Sequence, residues 1–301
     1  MQLPVQSTSS IYAEAWELDA DVDAIDAIAR KADETGFFYL GVCDHTAIPR
    51  ALQSAMGTQW YDTIATLGYL AGITRKVRLL SHVYVVAHRH PLLAAKSFMT
   101  LDELSRGRVI LGVGVGHVES EFEVLEADFR HRGRDTDEAI QLIRKAFDQE
   151  YPEHQGRRWS VADAGLAPRP RQARIPIWVG GSSQPALRRA AELGDGWLPQ
   201  QAGLQGLSDA IAALRERRKQ ALGAAPLDIG AITEPLYVGQ PSWEIDGEVL
   251  SGSPEYIAER LREFGSFGAN HLQVRFRNRS LSELLDQMEA FGSQVAPLLN
   301  G

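Results

Sequence analysis

Arg108-Val-Ile-Leu-Gly112-Val-Gly114-Val-Gly116-His117-Val-Glu119-Ser120-Glu121 is the stretch on which the fold turns. Arg108 to Leu111 is short, apolar and β-branched, the composition of a buried strand. Gly112, Gly114 and Gly116 then remove every second side chain where that strand should end. Such positions let main chain approach a flat group or a phosphate closely. His117 follows at once, and the acidic residues from Glu119 onward suit the first turns of a helix. An ordinary strand-to-helix connection would also accommodate these glycines. The dinucleotide fingerprint G-x-G-x-x-G is not completed, because Glu119 stands where its last glycine would be.

The same strand-then-helix rhythm extends in both directions. Toward the N-terminus, residues 2–5 form a weakly signalled strand, and 19–35 carry a helical stripe of Val22, Ile25, Ile28, Ala29 and Ala32 closed by Gly36. Residues 37–42 read as a strand ending in Cys43-Asp44-His45. A helix over 60–74, an unusually long strand over 77–86 with His82 in its middle, and a helix opened by Pro91 come next. Toward the C-terminus, helical patterns over 119–127 and 134–150 precede an excursion at 151–173. Strands over 175–179, 195–198, 227–232 and 271–274 alternate with a helix that starts within 180–185 and runs to Leu193 and with helices over 207–222, 254–267 and 281–298, and 234–250 is a second excursion.

Eight strands alternating with helices require a parallel sheet. In about 300 residues they predict one α/β domain over 1–301, a (β/α)8 TIM barrel with excursions after its fourth and seventh strands. A doubly wound open sheet is the alternative. In a barrel, the residues that act lie where strands end. That gathers Asp44, His45, His82, the Gly112–His117 stretch and the loop 180–184 at one mouth.

Composition narrows the function. The 301 residues carry 44% hydrophobic side chains, a net charge of −8 and one cysteine, Cys43. With no basic tract, nucleic acid and anionic membrane are not expected partners. A single cysteine forms no internal disulfide and fits a reducing cytoplasm. Neither a signal-peptide core nor an apolar run of about 18 residues is present, so a soluble intracellular protein is expected.

Gly180-Gly181-Ser182-Ser183-Gln184-Pro185 combines glycines, hydroxyls and an early proline at a helix start. Free N–H groups and the helix dipole make it a candidate phosphate site, with plain N-capping as the bland reading. Asp44-His45 is a candidate acid/base pair or polar anchor, and histidine is the residue type best suited to proton transfer. His82 either packs in the strand or faces a ligand. No metal is expected, since His88-x-His90 is the only close histidine pair and no H-E-x-x-H occurs. Serine-hydrolase and Walker motifs are absent.

Arg89-His90-Pro91, Ala95-Lys96, the block from Thr100 to Gly116, and Glu121-Phe122 resemble the luciferase-like monooxygenase superfamily. Phe37 with Asp44-His45, and the blocks 175–181, 194–197 and 252–255, extend the resemblance over nearly the whole chain. It implies a (β/α)8 barrel, often dimeric, that binds FMN or the deazaflavin coenzyme F420. The deazaflavin-dependent oxidoreductases are the more similar branch, which implies F420 as cofactor, FMN as the alternative and a small-molecule substrate. In that branch an Asp–His pair ends the second strand, matching Asp44 and His45. A non-proline cis peptide in the third strand supports the ring and falls near His82-Val83. The fourth-strand stretch with Gly112, Gly114, Val115, Gly116 and Ser120 lets the ring and ribityl chain approach, and Gly180, Gly181, Ser182, Ser183 and Gln184 match the phosphate loop. His117 replaces a glutamate of the sugar-phosphate dehydrogenases in this branch, whose substrate lysines have no clear counterpart. His117 is therefore a second candidate for the acid/base role. An FMN-dependent two-component monooxygenase and a non-catalytic flavin-binding protein are the competing readings.

Overall fold

Strand side chains alternate in direction, and here the alternation sorts the apolar residues into two layers. Leu79, Val109, Leu111, Ile177, Val179 and Trp197 merge with the apolar faces of the helices in one large core. Tyr39, Leu80, Ile110, Trp178 and Leu198 form a separate inner cluster. Burial on both faces is the mark of a parallel sheet curled around its own plug.

The computed structural model describes residues 1–10, 12–200 and 203–299. The first half contains α1 (Val22–Glu34), β1 (Tyr39–Val42), α2 (Gln53–Met56), α3 (Thr63–Ile73), β2 (Arg78–Ser81), β3 (Tyr84–Val85), α4 (Pro91–Ser105), β4 (Val109–Gly114), α5 (Glu119–Val124) and α6 (Arg132–Asp148). After these come β5 (His154–Gln155), β6 (Ser160–Val161), β7 (Ile177–Gly180), α7 (Gln184–Leu193), β8 (Gly196–Leu198), α8 (Leu207–Leu222) and β9 (Asp228–Ile232). The chain finishes with β10 (Leu236–Val238), β11 (Leu250–Gly252), α9 (Pro254–Phe267), β12 (His271–Gln273), α10 (Leu281–Ala290) and α11 (Ala296–Leu299).

The main sheet runs β1-β2-β4-β7-β8-β9-β12, with β3 also on β4, and its pairings are parallel. The eighth position belongs to the N-terminal residues. Leu3 N–H donates to Gly41 O at 2.8 Å and Gly41 N–H to Met1 O at 2.9 Å. Side chains cross to β12, where Tyr39 Oη meets Gln273 Oε1 at 3.3 Å. The expected (β/α)8 barrel is what the chain forms.

Departures from the expected elements have local causes. The long strand over 77–86 splits into β2 and β3 around residues 82 and 83, whose peptide bond is cis, at the place the resemblance implied. The helix expected from residue 60 starts at Thr63, because Asp62 caps it by accepting from Ala65 N–H. Trp60 instead bridges to Ser7. A π-helical turn at Phe291–Val295 separates α10 from α11. The first excursion is the antiparallel hairpin β5–β6, held to α6 by ion pairs of Arg157 and Arg158 with the buried Asp135. The second contains the parallel pair β10–β11. Among the described residues, no helix is long and apolar enough to cross a membrane.

Candidate active site

Two residues above the inner plug, the inward side chains vanish. Tyr39 is followed by Gly41, Ile110 by Gly112 and then Gly114, and Trp178 by Gly180. A cavity of about 510 Å³ opens above them at the strand ends, within the range of small-molecule sites. It brings together ten sequence candidates: Asp44, His45, His82, Val83, Gly114, Val115, Gly116, His117, Gly180 and Gly181. Gly112, Ser120, Ser182, Ser183 and Gln184 are outside its wall.

The glycines do different jobs. A β-carbon on Gly114 would lie 2.4 Å from Val83 Cγ2, and one on Gly180 would lie 2.8 Å from Val83 Cγ1. These glycines form a notch, and Val83 is the side chain that fills it. At Gly112 a β-carbon would lie 2.0 Å from the main-chain oxygen of Ser81. Ser81 Oγ also donates to Gly112 O at 2.9 Å and accepts from its N–H at 3.0 Å. Gly112 therefore serves the close approach of β2 and β4.

His45 is oriented by a partner that the adjacent Asp44 does not supply. Its Nδ1 lies 3.0 Å from Glu121 Oε2, and Glu121 Oε1 accepts from Thr46 N–H at 2.6 Å and Ala47 N–H at 3.2 Å. Burial pushes the Glu121 carboxyl up, but its bond to His45 and the two N–H donors outweigh this and hold it below the usual range. The carboxylate stays ionised and keeps the proton on Nδ1, so Nε2 is the nitrogen left for chemistry. Trp60 covers the imidazole with ring centroids 4.5 Å apart. Glu121 stands in the sequence as an acidic residue of the first helical turn and as part of the Glu121-Phe122 block of the resemblance, with no role assigned to it. Its place on α5 gave no local sign of a partner 76 residues away.

His117 also borders the cavity, its ring 5.9 Å from that of His45. Desolvation and then the neighbouring His45 lower its pKa. Asp44, read as an acid/base partner of His45 or as a polar anchor, gives its carboxylate to groups other than His45. Its Oδ2 accepts from Arg89 at 2.6 Å and from Val85 N–H at 2.7 Å, and its Oδ1 from Thr63 Oγ1 at 3.2 Å.

His82 lines the cavity, and its buried Nε2 has no hydrogen-bond partner among the described residues. Burial depresses its pKa from 6.5 to about 4. The unfolded chain therefore protonates His82 before the folded protein does, so stability is lost as pH falls from about 6.5 toward 4. Thermal unfolding at pH 7 and pH 5 measures this: His82→Gln should lose less Tm than the wild type over that interval. Equal losses would mean that His82 does not titrate there.

At the 180–184 loop, Gly181 adopts φ +117°. Ser183 caps α7 by accepting from Ala186 N–H at 3.4 Å. Ser182 Oγ accepts from Gln200 N–H at 3.0 Å, and Arg217 donates to Gln184 Oε1 at 3.1 Å.

The geometry can be set beside known proteins. The family model described as luciferase-like monooxygenase matches residues 2–244. An uncharacterised protein of Mycobacterium tuberculosis is 29% identical over 234 residues, covering 74% of this chain and 80% of that protein. A protein of Intrasporangium calvum named F420-dependent glucose-6-phosphate dehydrogenase is 26% identical, covering 90% of this chain and 93% of its own length. In fold, the chain is similar to the coenzyme F420-dependent tetrahydromethanopterin reductase of Methanopyrus kandleri, with a TM-score of 0.75 and 19% identity over 93% of this chain and 96% of that one. With a family match over most of its length, a parallel barrel and a histidine–carboxylate pair at the strand ends, this chain belongs to the luciferase-like monooxygenase family and is an oxidoreductase.

Proposed function

We propose that the protein is a deazaflavin-dependent oxidoreductase that exchanges hydride between coenzyme F420 and a small organic substrate, with His45 handling the accompanying proton. The observation that carries this reading is the Glu121-held imidazole of His45 in the same cavity as the Val83 floor and the glycine notch beneath it. The residues fit a flat, hydrogen-bonding ring: Val83 offers an apolar surface, 114–116 and 180–181 offer main chain, and His82 Nε2 is an unused polar atom. A bound deazaflavin supplies a carbon centre that gives or takes hydride and reacts sluggishly with oxygen.

The chain's own residues do the rest. Glu121 fixes the tautomer of His45, so that Nε2 gives a proton when the imidazole is charged and takes one when it is neutral. Trp60 packs against that imidazole. The relative from Intrasporangium supports the choice of cofactor through its name. FMN is the competing cofactor, and fluorescence titration of the purified protein with F420 and with FMN decides between them. Tighter binding of F420 is expected. Selective FMN binding with oxygen-dependent turnover would replace this reading with a monooxygenase.

The loop before α7 is the expected seat of the cofactor's phosphate. Ser183→Asp preserves the helix cap, because aspartate caps as well as serine, but it places a negative charge beside that anion. It should weaken cofactor binding more than Ser183→Ala, which loses about 1 kcal/mol of capping. Equal Kd values for the two variants would put the phosphate elsewhere.

A further inference from the structure

We propose that the buried Asp44–Arg89 pair is a positioning device for the cofactor floor: it holds Val83 in place and does not itself take part in proton transfer. The inference rests on the reading that a flat cofactor lies on Val83. Asp44 is 6% exposed, and both its carboxylate oxygens are occupied. Oδ2 takes Arg89 Nη1 at 2.6 Å and Val85 N–H at 2.7 Å, while Oδ1 takes Arg89 Nη2 at 3.2 Å and Thr63 Oγ1 at 3.2 Å. One side chain at the end of β1 thus ties together the start of α3, the main chain of β3 and the turn after it.

Arg89 is held just as fully. Its guanidinium lies over the Tyr84 ring at 4.1 Å, and Nη1 also donates to Val85 O at 3.3 Å. Arginine suits this place because its planar fork meets a carboxylate with two nitrogens and an aromatic face with its plane.

What the pair controls is two residues back along the chain. Val83 has no ladder partner of its own, because the pairing of β3 with β4 starts at Tyr84 opposite Val113 and Val85 opposite Gly114. Its side chain enters the notch of Gly114 and Gly180, where neither glycine has room for even one more carbon. If Val85 N–H is freed from Asp44, the main chain at 84–85 gains freedom and Val83 leaves the notch. A shift of about 1 Å in a supporting residue is enough to degrade a bound ligand's geometry.

The test uses the full chain, with Arg89→Gln and Arg89→Lys, and reads two quantities. One is the Kd for F420 and for FMN by fluorescence. The other is the chemical shift of the Val83 methyl groups by NMR in ligand-free protein. Arg89→Gln should raise the Kd about tenfold or more and move the Val83 methyl signals. Arg89→Lys keeps charge on Asp44 but loses the two-pronged contact, so it falls between Arg89→Gln and wild type. Arg218→Met is the matched control. Arg218 is a buried arginine bonded to main-chain oxygens of Ala191, Gly194 and Pro226, and its loss should lower Tm without moving either readout. Should Arg89→Gln not fold, Arg89→Lys carries the same test with a smaller displacement. Wild-type Kd and unmoved Val83 methyls in the Arg89 variants overturn the proposal and leave the cofactor reading standing. If the wild type binds neither cofactor, that reading fails, and the methyl shifts alone decide whether the pair holds Val83.

Discussion

His45→Ala should lower kcat for hydride exchange by about 10²–10⁴-fold, the usual range for removal of a general acid or base. The cofactor Kd should stay nearly unchanged, because the floor, the notch and the 180–184 loop are formed by other residues. Glu121→Gln is the informative companion. An amide keeps the shape but offers Nδ1 no anion, so the imidazolium loses its stabilising partner and the tautomer its fixed bond. Its kcat should fall less than that of His45→Ala, and the rate should lose activity first where the imidazole must be charged. His117→Ala separates the two histidines. Its ring is a neighbour of His45 but, among the described residues, no carboxylate bonds it as Glu121 bonds His45 at 3.0 Å. Measuring kcat and cofactor Kd for all three variants, on a substrate found by screening alcohols and carbonyl compounds, tests the assignment. Loss of turnover confined to His117→Ala would move the proton to the end of β4. Full turnover in both histidine variants would remove histidine from the chemistry.

The second large effect separates two glycines two residues apart. Gly112→Ala should destabilise the fold by about 3 kcal/mol, the upper end for forcing a carbon into packed space. That corresponds to a fall in Tm of about 5 °C. The obstacle is main chain, Ser81 O at 2.0 Å, and the strands are pinned there by both Ser81–Gly112 hydrogen bonds. Neither strand can step aside without breaking them. At Gly114 the obstacle is the side chain of Val83 at 2.4 Å, and a side chain can leave. Gly114→Ala should therefore keep more of its Tm but push Val83 toward the cavity, raising the cofactor Kd about tenfold or more. Thermal melts and cofactor titrations on both variants read this directly. A Gly112→Ala protein with wild-type Tm would show that β2 and β4 are not in close contact. A Gly114→Ala protein with wild-type Kd would mean that Val83 is not the floor.

Much of this molecule is legible one segment at a time. The alternation of strand and helix needs only hydrophobic period and punctuation such as Gly36 and Pro91, all local properties of the chain. Eight repeats of it determine a parallel barrel, and a parallel barrel puts the ends of its strands at one mouth. Asp44, His45, Gly114 to His117 and Gly180-Gly181 are thus gathered by sequence alone, and they do share one cavity. What each of them touches was not legible. The partner of His45 lies 76 residues away and that of Asp44 lies 45 residues away, and neither distance in sequence carries a periodic signal. Those pairings depend on the strand register and on the loops that bring residues 44–45, 89 and 121 to one end of the barrel. Chain neighbours Asp44 and His45 consequently separate, one into a buried ion pair with Arg89 and the other onto Glu121. Both residues follow Val42, the last residue of β1, where loop main chain and not strand alternation sets side-chain direction, so adjacency in sequence argued for a partnership that the tertiary structure does not make.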